Sequence, residues 1–244
     1  MRSAPITQQR MLIDLQSLDS RLARLRHERS RLPVLQRIEA TVERLKTNRR
    51  EALLAQAALA EARQEAERSE EEVAQVVRRA QALRERLHSG ETGARDLSAI
   101  QHEIDHLGQR QQVLEDRQVS TLEALESAQA QADRLAQEEQ DIRAAGRQLT
   151  AERDERLAQL DQERAAVEDQ RSDVVGGIDA ELLAEYEEVR SRTGGLGAVA
   201  LRAGRIEGGS LEISPQEYAR FASAPEDAVL RAEENDVIVV RMDI

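Results

Sequence analysis

The segment His102-Glu103-Ile104-Asp105-His106 matches the H-E-x-x-H signature of zinc hydrolases. On a helix this spacing sets two imidazoles at i and i+4 on one face, with the glutamate as general base. Catalytic zinc also needs a third protein ligand and a walled cleft, and a site near the turn of a long helical hairpin offers neither. A degenerate five-residue pattern also arises by chance in helices rich in charged residues. The expected state of His102 and His106 is two solvated side chains flanking an apolar position, available for adventitious metal or a partner contact.

Other chemistry is weaker still. Gly194-Gly195-Leu196-Gly197 has the glycines of a phosphate loop, but no Lys-Ser/Thr follows, so it reads as a hinge. No Walker loop, nucleophile elbow or dinucleotide fingerprint occurs, and no cofactor is expected. The sequence contains no Cys, which excludes disulfides and thiol-ligated metal. The run Glu70-Glu71-Glu72 and the acidic residues Glu185, Glu187 and Glu188 read as solvated faces, the second a candidate contact for a basic partner. In a helix population this rich in carboxylates, no general acid–base pair stands out.

The elements that would carry these residues are long helices. After Pro33 no glycine or proline appears until Gly90. Apolar residues recur at heptad spacing through Leu35, Ile38, Val42, Leu45, Ala52, Leu59, Ala66, Val73, Ala80 and Leu87, with a second line through Ala55, Ala62, Ser69, Val76 and Leu83. Upstream, Leu15, Leu18, Leu22, Leu25 and Leu32 continue the stripe, and Pro33 is expected to kink the helix. The polar, glycine-containing stretch 89–96 marks a turn. A second helix runs from about Leu97 to Asp173, with a seam that weakens at Gln118 and Thr121 and a stutter between Leu149 and Leu160. Two such helices fold back as an antiparallel hairpin of roughly 110 Å at ~1.5 Å per residue. Alanine in its middle buries little area, at ~0.8 kcal/mol per buried methylene, so the ends should be the more stable parts.

Beyond Val175-Gly176-Gly177-Ile178 the pattern changes. Asp179 is the expected N-cap of a short helix with Leu182, Leu183, Tyr186 and Val189 on one face. Residues 198–206 and 210–213 read as strands around a turn at 207–209. Ser214-Pro215-Gln216-Glu217 reads as a capping box with proline at the first helical position. Two more strands, 229–231 and 237–242, flank Glu233-Glu234-Asn235-Asp236, making two knuckle-like hairpins in all.

Only Tyr186, Tyr218 and Phe221 are aromatic, and 34% of residues are charged, a composition of long helices and coiled coils. No apolar run is long enough to span a membrane, and the first residues lack a signal-peptide pattern, so a cytoplasmic protein is expected. Residues 1–178 carry 28 basic and 33 acidic side chains; residues 179–244 carry 7 and 14. Nucleic acids are bound by an excess of Lys and Arg, which neither part has.

With its tail behind a helical hairpin, the chain resembles a bacterial family of coiled-coil proteins ending in a four-cysteine zinc ribbon, most similar to its actinobacterial branch. The resemblance rests on Gln9–Asp19, on Ser89-Gly90 with Asp96–Ile104, on Leu201–Ile213 and on Val229–Arg241. The positions corresponding to the family's zinc ligands hold Ile206, Gly209, Ala232 and Asn235. None supplies a thiolate or imidazole, so the tail is expected to bind no zinc. Without a metal contribution of about 10 kcal/mol or more, apolar contact by Ile206 and Ala232, helped by Leu211, Phe221, Val229 and Val239 or by docking on the stem, must hold it.

The expected fold is therefore mainly α. It comprises an antiparallel coiled-coil hairpin over 1–175 with its tip near 89–96, a short helix and Gly-rich linker over 176–197, and a degenerate zinc-ribbon-like β domain over 198–244. The resemblance implies a non-enzymatic scaffold or adaptor that meets protein partners through rod and tail. The alternative is nucleic-acid binding by the tail, disfavoured by five Arg against nine Asp and Glu in 196–244. An intrachain hairpin satisfies the seams, two such hairpins could also pair through the weak middle, and the sequence does not fix the oligomeric state.

Overall fold

A computed structural model describes residues 3–89, 93–203, 205–207 and 214–242, with only the backbone considered at 94 and 95. Its elements are α1 (Ile6–Ser30), α2 (Pro33–His88), α3 (Ala94–Gly176), α4 (Ala180–Arg192), β1 (Ala198–Arg202), β2 (Arg205–Glu207), α5 (Pro215–Ser223), β3 (Leu230–Arg231) and β4 (Ile238–Arg241). The chain forms two compact units, one from residues 36–150 and one from residues 1–35 together with 151–244.

The 36–150 unit is an antiparallel pair formed by α2 and α3. Cross-hairpin contacts set its register: Asn48 Nδ2 donates to the Leu135 carbonyl at 3.3 Å, Arg44 meets Glu138 at 2.9 Å, and Arg79 meets Glu103 at 3.0 Å. The turn lies between His88 and Ala94, and Gly90, Glu91 and Thr92 are outside the described residues. Buried seam positions on α2 are Ala55, Leu59, Ala66, Val76, Ala80 and Leu83, joined by polar Asn48 and Ser69. On α3 they are Ile100, Ile104, Leu135, Ile142 and Leu149. Between Leu107 and Leu135, α3 buries no side chain fully; Leu114, Gln118, Thr121, Leu125 and Ala128 are half-buried. That is the thin middle expected from alanine and polar residues in the seam.

In the other unit, Pro33 does not kink a continuous helix. Helix α1 ends at Ser30, Arg31 leaves helical geometry (φ −128°, ψ 33°), and α2 starts afresh at Pro33. Proline lacks the N–H needed in a helix interior but suits a first helical position. Leu32 and Val34 remain buried beside the break, so the apolar stripe survives it.

The tail strands form one four-stranded sheet of order β2-β1-β4-β3. The central pair β1 and β4 is parallel, with Val199 opposite Val239, and antiparallel β2 and β3 lie at the edges. This replaces the two separate hairpins expected from the turn signals. The parallel pairing requires the crossover through α5 that Ser214 and Pro215 start. The first turn is also displaced: β1 ends at Arg202, Ala203 takes φ 47° inside the expected first strand, and β2 covers 205–207, reaching the first residue of the expected turn. The anticipated strand 210–213 lies outside the described residues.

Both central strands are buried along nearly their whole length, as parallel strands covered on two faces must be. Leu12 and Leu15 of α1, Leu182, Tyr186 and Val189 of α4, and Phe221 of α5 join them in one apolar cluster. The segment before α1 is also joined to the connection between α5 and β3. Ala4 N donates to Asp227 O at 2.8 Å, and Gln9 Nε2 donates to Ala4 O at 2.8 Å and to Asp227 O at 3.0 Å.

Candidate functional site

The H-E-x-x-H segment lies on α3 with His102 and His106 exposed on either side of buried Ile104. Ile104 packs with Leu83 and Ile100, so the motif's apolar residue serves the hairpin seam. Glu103 accepts from Arg79 Nε at 3.3 Å and from its terminal nitrogen at 3.0 Å, which ties the would-be base across to α2. Among the described residues, no group of three or more His, Cys, Asp or Glu is arranged to hold a metal ion.

In the tail, Ile206 is half-buried on β2 and packs against the apolar cluster that contains buried Ala232. Asn235 Oδ1 accepts from Val237 N at 3.2 Å inside a turn closed by Asp236 N donating to Ala232 O at 2.9 Å. Gly209 is outside the described residues. The side chains at Ile206, Ala232 and Asn235 thus make apolar contact or turn hydrogen bonds, and none has a donor atom suited to zinc. Ser214 caps α5 as expected, accepting from Glu217 N at 3.1 Å. Glu217 itself turns away to accept from Glu233 N at 2.8 Å, so half of the capping box fastens α5 to the second turn.

The acidic face of α4 is divided. Glu188 is exposed. Glu187 pairs with Arg171 and with Arg190, the latter at 3.1 Å. Glu185 is buried, not solvated: Arg231 donates to it from Nε at 3.0 Å and from a terminal nitrogen at 2.6 Å. Arg231 also reaches Asp236 at 2.5 Å, and Arg192 reaches the same carboxylate oxygen at 2.6 Å. The hydrogen bond from Arg192 leads in holding the Asp236 carboxyl below its ordinary range.

The most elaborate polar arrangement joins α1 to the tail. Tyr186, fully buried on α4, donates its hydroxyl to Asp19 Oδ2 at 2.8 Å, with Gln16 Oε1 3.2 Å away. Asp19 also accepts from Arg171 Nε at 2.8 Å and lies 3.3 Å from Arg190 Nε. Gln16 Oε1 accepts from Gly197 N at 2.6 Å, and Gln16 Nε2 donates to Gly195 O at 3.0 Å. The glycine segment therefore meets β1 pinned to α1, where a free hinge was expected. Burial, then the Asp19 carboxylate, pushes the Tyr186 hydroxyl well above its ordinary pKa, and the hydrogen bond to Asp19 strengthens the protonated form of Arg171. Nearly all of this polarity is satisfied internally, which favours a locking role over chemistry.

Sequence reasoning singled out Tyr186 as an apolar contact but passed over Asp19 and Gln16. The signal was available: Leu12, Leu15, Asp19 and Leu22 are spaced i, i+3, i+7, i+10, which places a carboxylate in an apolar stripe.

These features define a coiled-coil hairpin protein with a small C-terminal sheet. Residues 15–194 match the family model of the CT398-like coiled coil hairpin domain, and the chain belongs to that family. It is 35% identical over 243 residues to the Uncharacterized protein Rv2229c of Mycobacterium tuberculosis, with 98% of each chain covered. A solved structure from Mycobacterium smegmatis is similar at TM-score 0.80 and 28% identity, covering 99% of this chain and 100% of that one. The structure of CT398 from Chlamydia trachomatis has the same fold at TM-score 0.61 and 13% identity, covering 97% and 98%. No helix among the described residues is long and apolar enough to cross a membrane.

Proposed function

We propose that this protein is a non-enzymatic adaptor that contacts protein partners through its helical hairpin and its tail. The observation carrying this reading is the exposed apolar pair Val119 (57%) and Leu122 (50%), i and i+3 on one face of α3. Large apolar side chains on so charged a helix point to a protein partner, whereas the buried ionisable groups around Asp19 and Glu185 lock the fold. The tail is read as a metal-free counterpart of the four-cysteine ribbon. Its apolar cluster, together with the α1 residues Leu12 and Leu15, takes over the stabilisation that metal gives elsewhere.

Because α1 completes the tail's core, the test uses the full chain. A photo-crosslinking residue at Val119 or Leu122, and separately at Glu188, is used in native lysate. The adaptor reading expects salt-insensitive crosslinks to a discrete protein from at least one of these positions. Retention on nucleic acid that falls steeply with salt, without such crosslinks, would favour the alternative. Stoichiometric zinc in the purified protein would refute the metal-free reading of the tail.

A further inference from the structure

In a chain with 34% charged residues, the stretch Ala52-Leu-Leu-Ala-Gln-Ala-Ala-Leu-Ala60 on α2 carries no charge and one polar side chain. Such a segment, apolar on every face, belongs in an interior. The hairpin seam buries only Ala55 and Leu59 of it. Leu53 and Leu54 are each 68% exposed, and Ala57 and Ala60 lie exposed beyond them. Residues 50, 53, 54, 57 and 61 follow the i, i+3, i+4, i+7 rule and form one stripe on the helix face away from α3. The stripe begins at Arg50 and ends at Glu61, and neither has an ion-pair partner among the described residues.

We infer that this stripe is a self-pairing surface: α2 packs antiparallel against α2 of a second copy, about a two-fold axis near residues 55 and 56. The charges beside it identify the occupant. Residues 44–50 carry four basic and no acidic side chains, while residues 61–67 carry three acidic and one basic. An antiparallel mate therefore sets each copy's basic flank against the other's acidic flank, and a parallel mate sets like against like. In the antiparallel register Leu54 faces Ala57 of the partner subunit and Arg50 faces Glu61 of the partner subunit. The contact is isologous, as a two-fold interface must be. Alanine opposite leucine lets the helix axes approach closely. The equivalent level of α3 does not qualify, because residues 115–126 and 133–141 each carry four acidic and one basic side chain. Self-pairing there would oppose acid to acid. This inference is independent of the adaptor reading.

Sedimentation equilibrium on the full chain at low salt tests it. The expected result is a reversible species of twice the 27.3 kDa chain mass. Leu54→Glu should leave a monomer of unchanged helicity, since the position is exposed. Arg50→Glu and Glu61→Arg should each weaken association at least about tenfold, and the double swap should restore it. As the chain has no native Cys, mixing Leu54→Cys with Ala57→Cys chains should give a mixed disulfide under mild oxidation, and Gln81→Cys should give none. A wild-type chain that stays at monomer mass at high loading assigns the stripe to a different helix and overturns the inference. Failure of the double swap to rescue overturns the register.

Discussion

Asp19→Ala is the sharpest test of how the tail is held. Asp19 is almost completely buried and receives a hydroxyl and one guanidinium at 2.8 Å, with a second guanidinium nitrogen at 3.3 Å. Removing one partner of a buried ion pair costs roughly 3–5 kcal/mol, because the remaining charge is left unpaired. Arg171 and Arg190 keep Glu187 and are partly hydrated, with side chains 25% and 21% exposed, which places the cost near the lower end, about 3 kcal/mol. At about 2–4 °C per kcal/mol for chains of this size, the transition should fall by about 6–12 °C. Near-UV circular dichroism isolates it, since Tyr186, Tyr218 and Phe221 all lie in the unit that contains Asp19. The hydroxyl of Tyr186 and the carboxylate of Asp19 should also be coupled by about 1 kcal/mol in a double-mutant cycle with Tyr186→Phe. A near-UV transition shifted by less than about 2 °C, or strict additivity in the cycle, would refute the claim that this network locks α1 to the tail.

Two further outcomes follow from the same junction. An added Cβ at Gly197 would lie 2.6 Å from Tyr186 Cδ2 and 2.9 Å from Cζ, and the ring is fully buried, so Gly197→Ala should destabilise this unit by about 1–3 kcal/mol through overpacking, read by the same near-UV melt. The raised pKa of Tyr186 means that the folded state keeps its proton where the unfolded chain loses it. Stability is therefore fully present below the ordinary tyrosine value near pH 10 and declines above it by up to about 1.4 kcal/mol per pH unit. Denaturant titrations between pH 9 and 11 (about one unit either side of that value) should show this slope in the wild type and a shallower one in Tyr186→Phe.

The helices were the legible part of the fold, because each reports its own periodicity. Asp179 and Ser214 were readable as N-caps for the same local reason. The sheet was less accessible: a turn signal at Gly208-Gly209 outweighed the positive φ that Ala203 adopts, and parallel pairing between residues 198–201 and 238–241 leaves no local mark. Pro33 was visible, but whether a proline kinks a helix or starts a new one depends on the backbone before it. At the junction, Glu185 looked like part of a solvated acidic run because its partner, Arg231, lies 46 residues away. Pairings that close only through tertiary structure are what single-sequence spacing cannot carry.

The joining of α1 to β4 also has a kinetic side. The hairpin's contacts grow outward from a short turn, so its loop-closure cost is small at each step. The tail's core instead needs Leu12 and Leu15 to meet Val237–Val240, more than 220 residues later in the chain. At roughly 5–20 residues per second of synthesis, α1 waits about 10–45 s with its apolar face uncovered. Through that interval the nascent chain is a finished or half-finished hairpin carrying one orphaned helix, and the last strand to be made is the one that retires it.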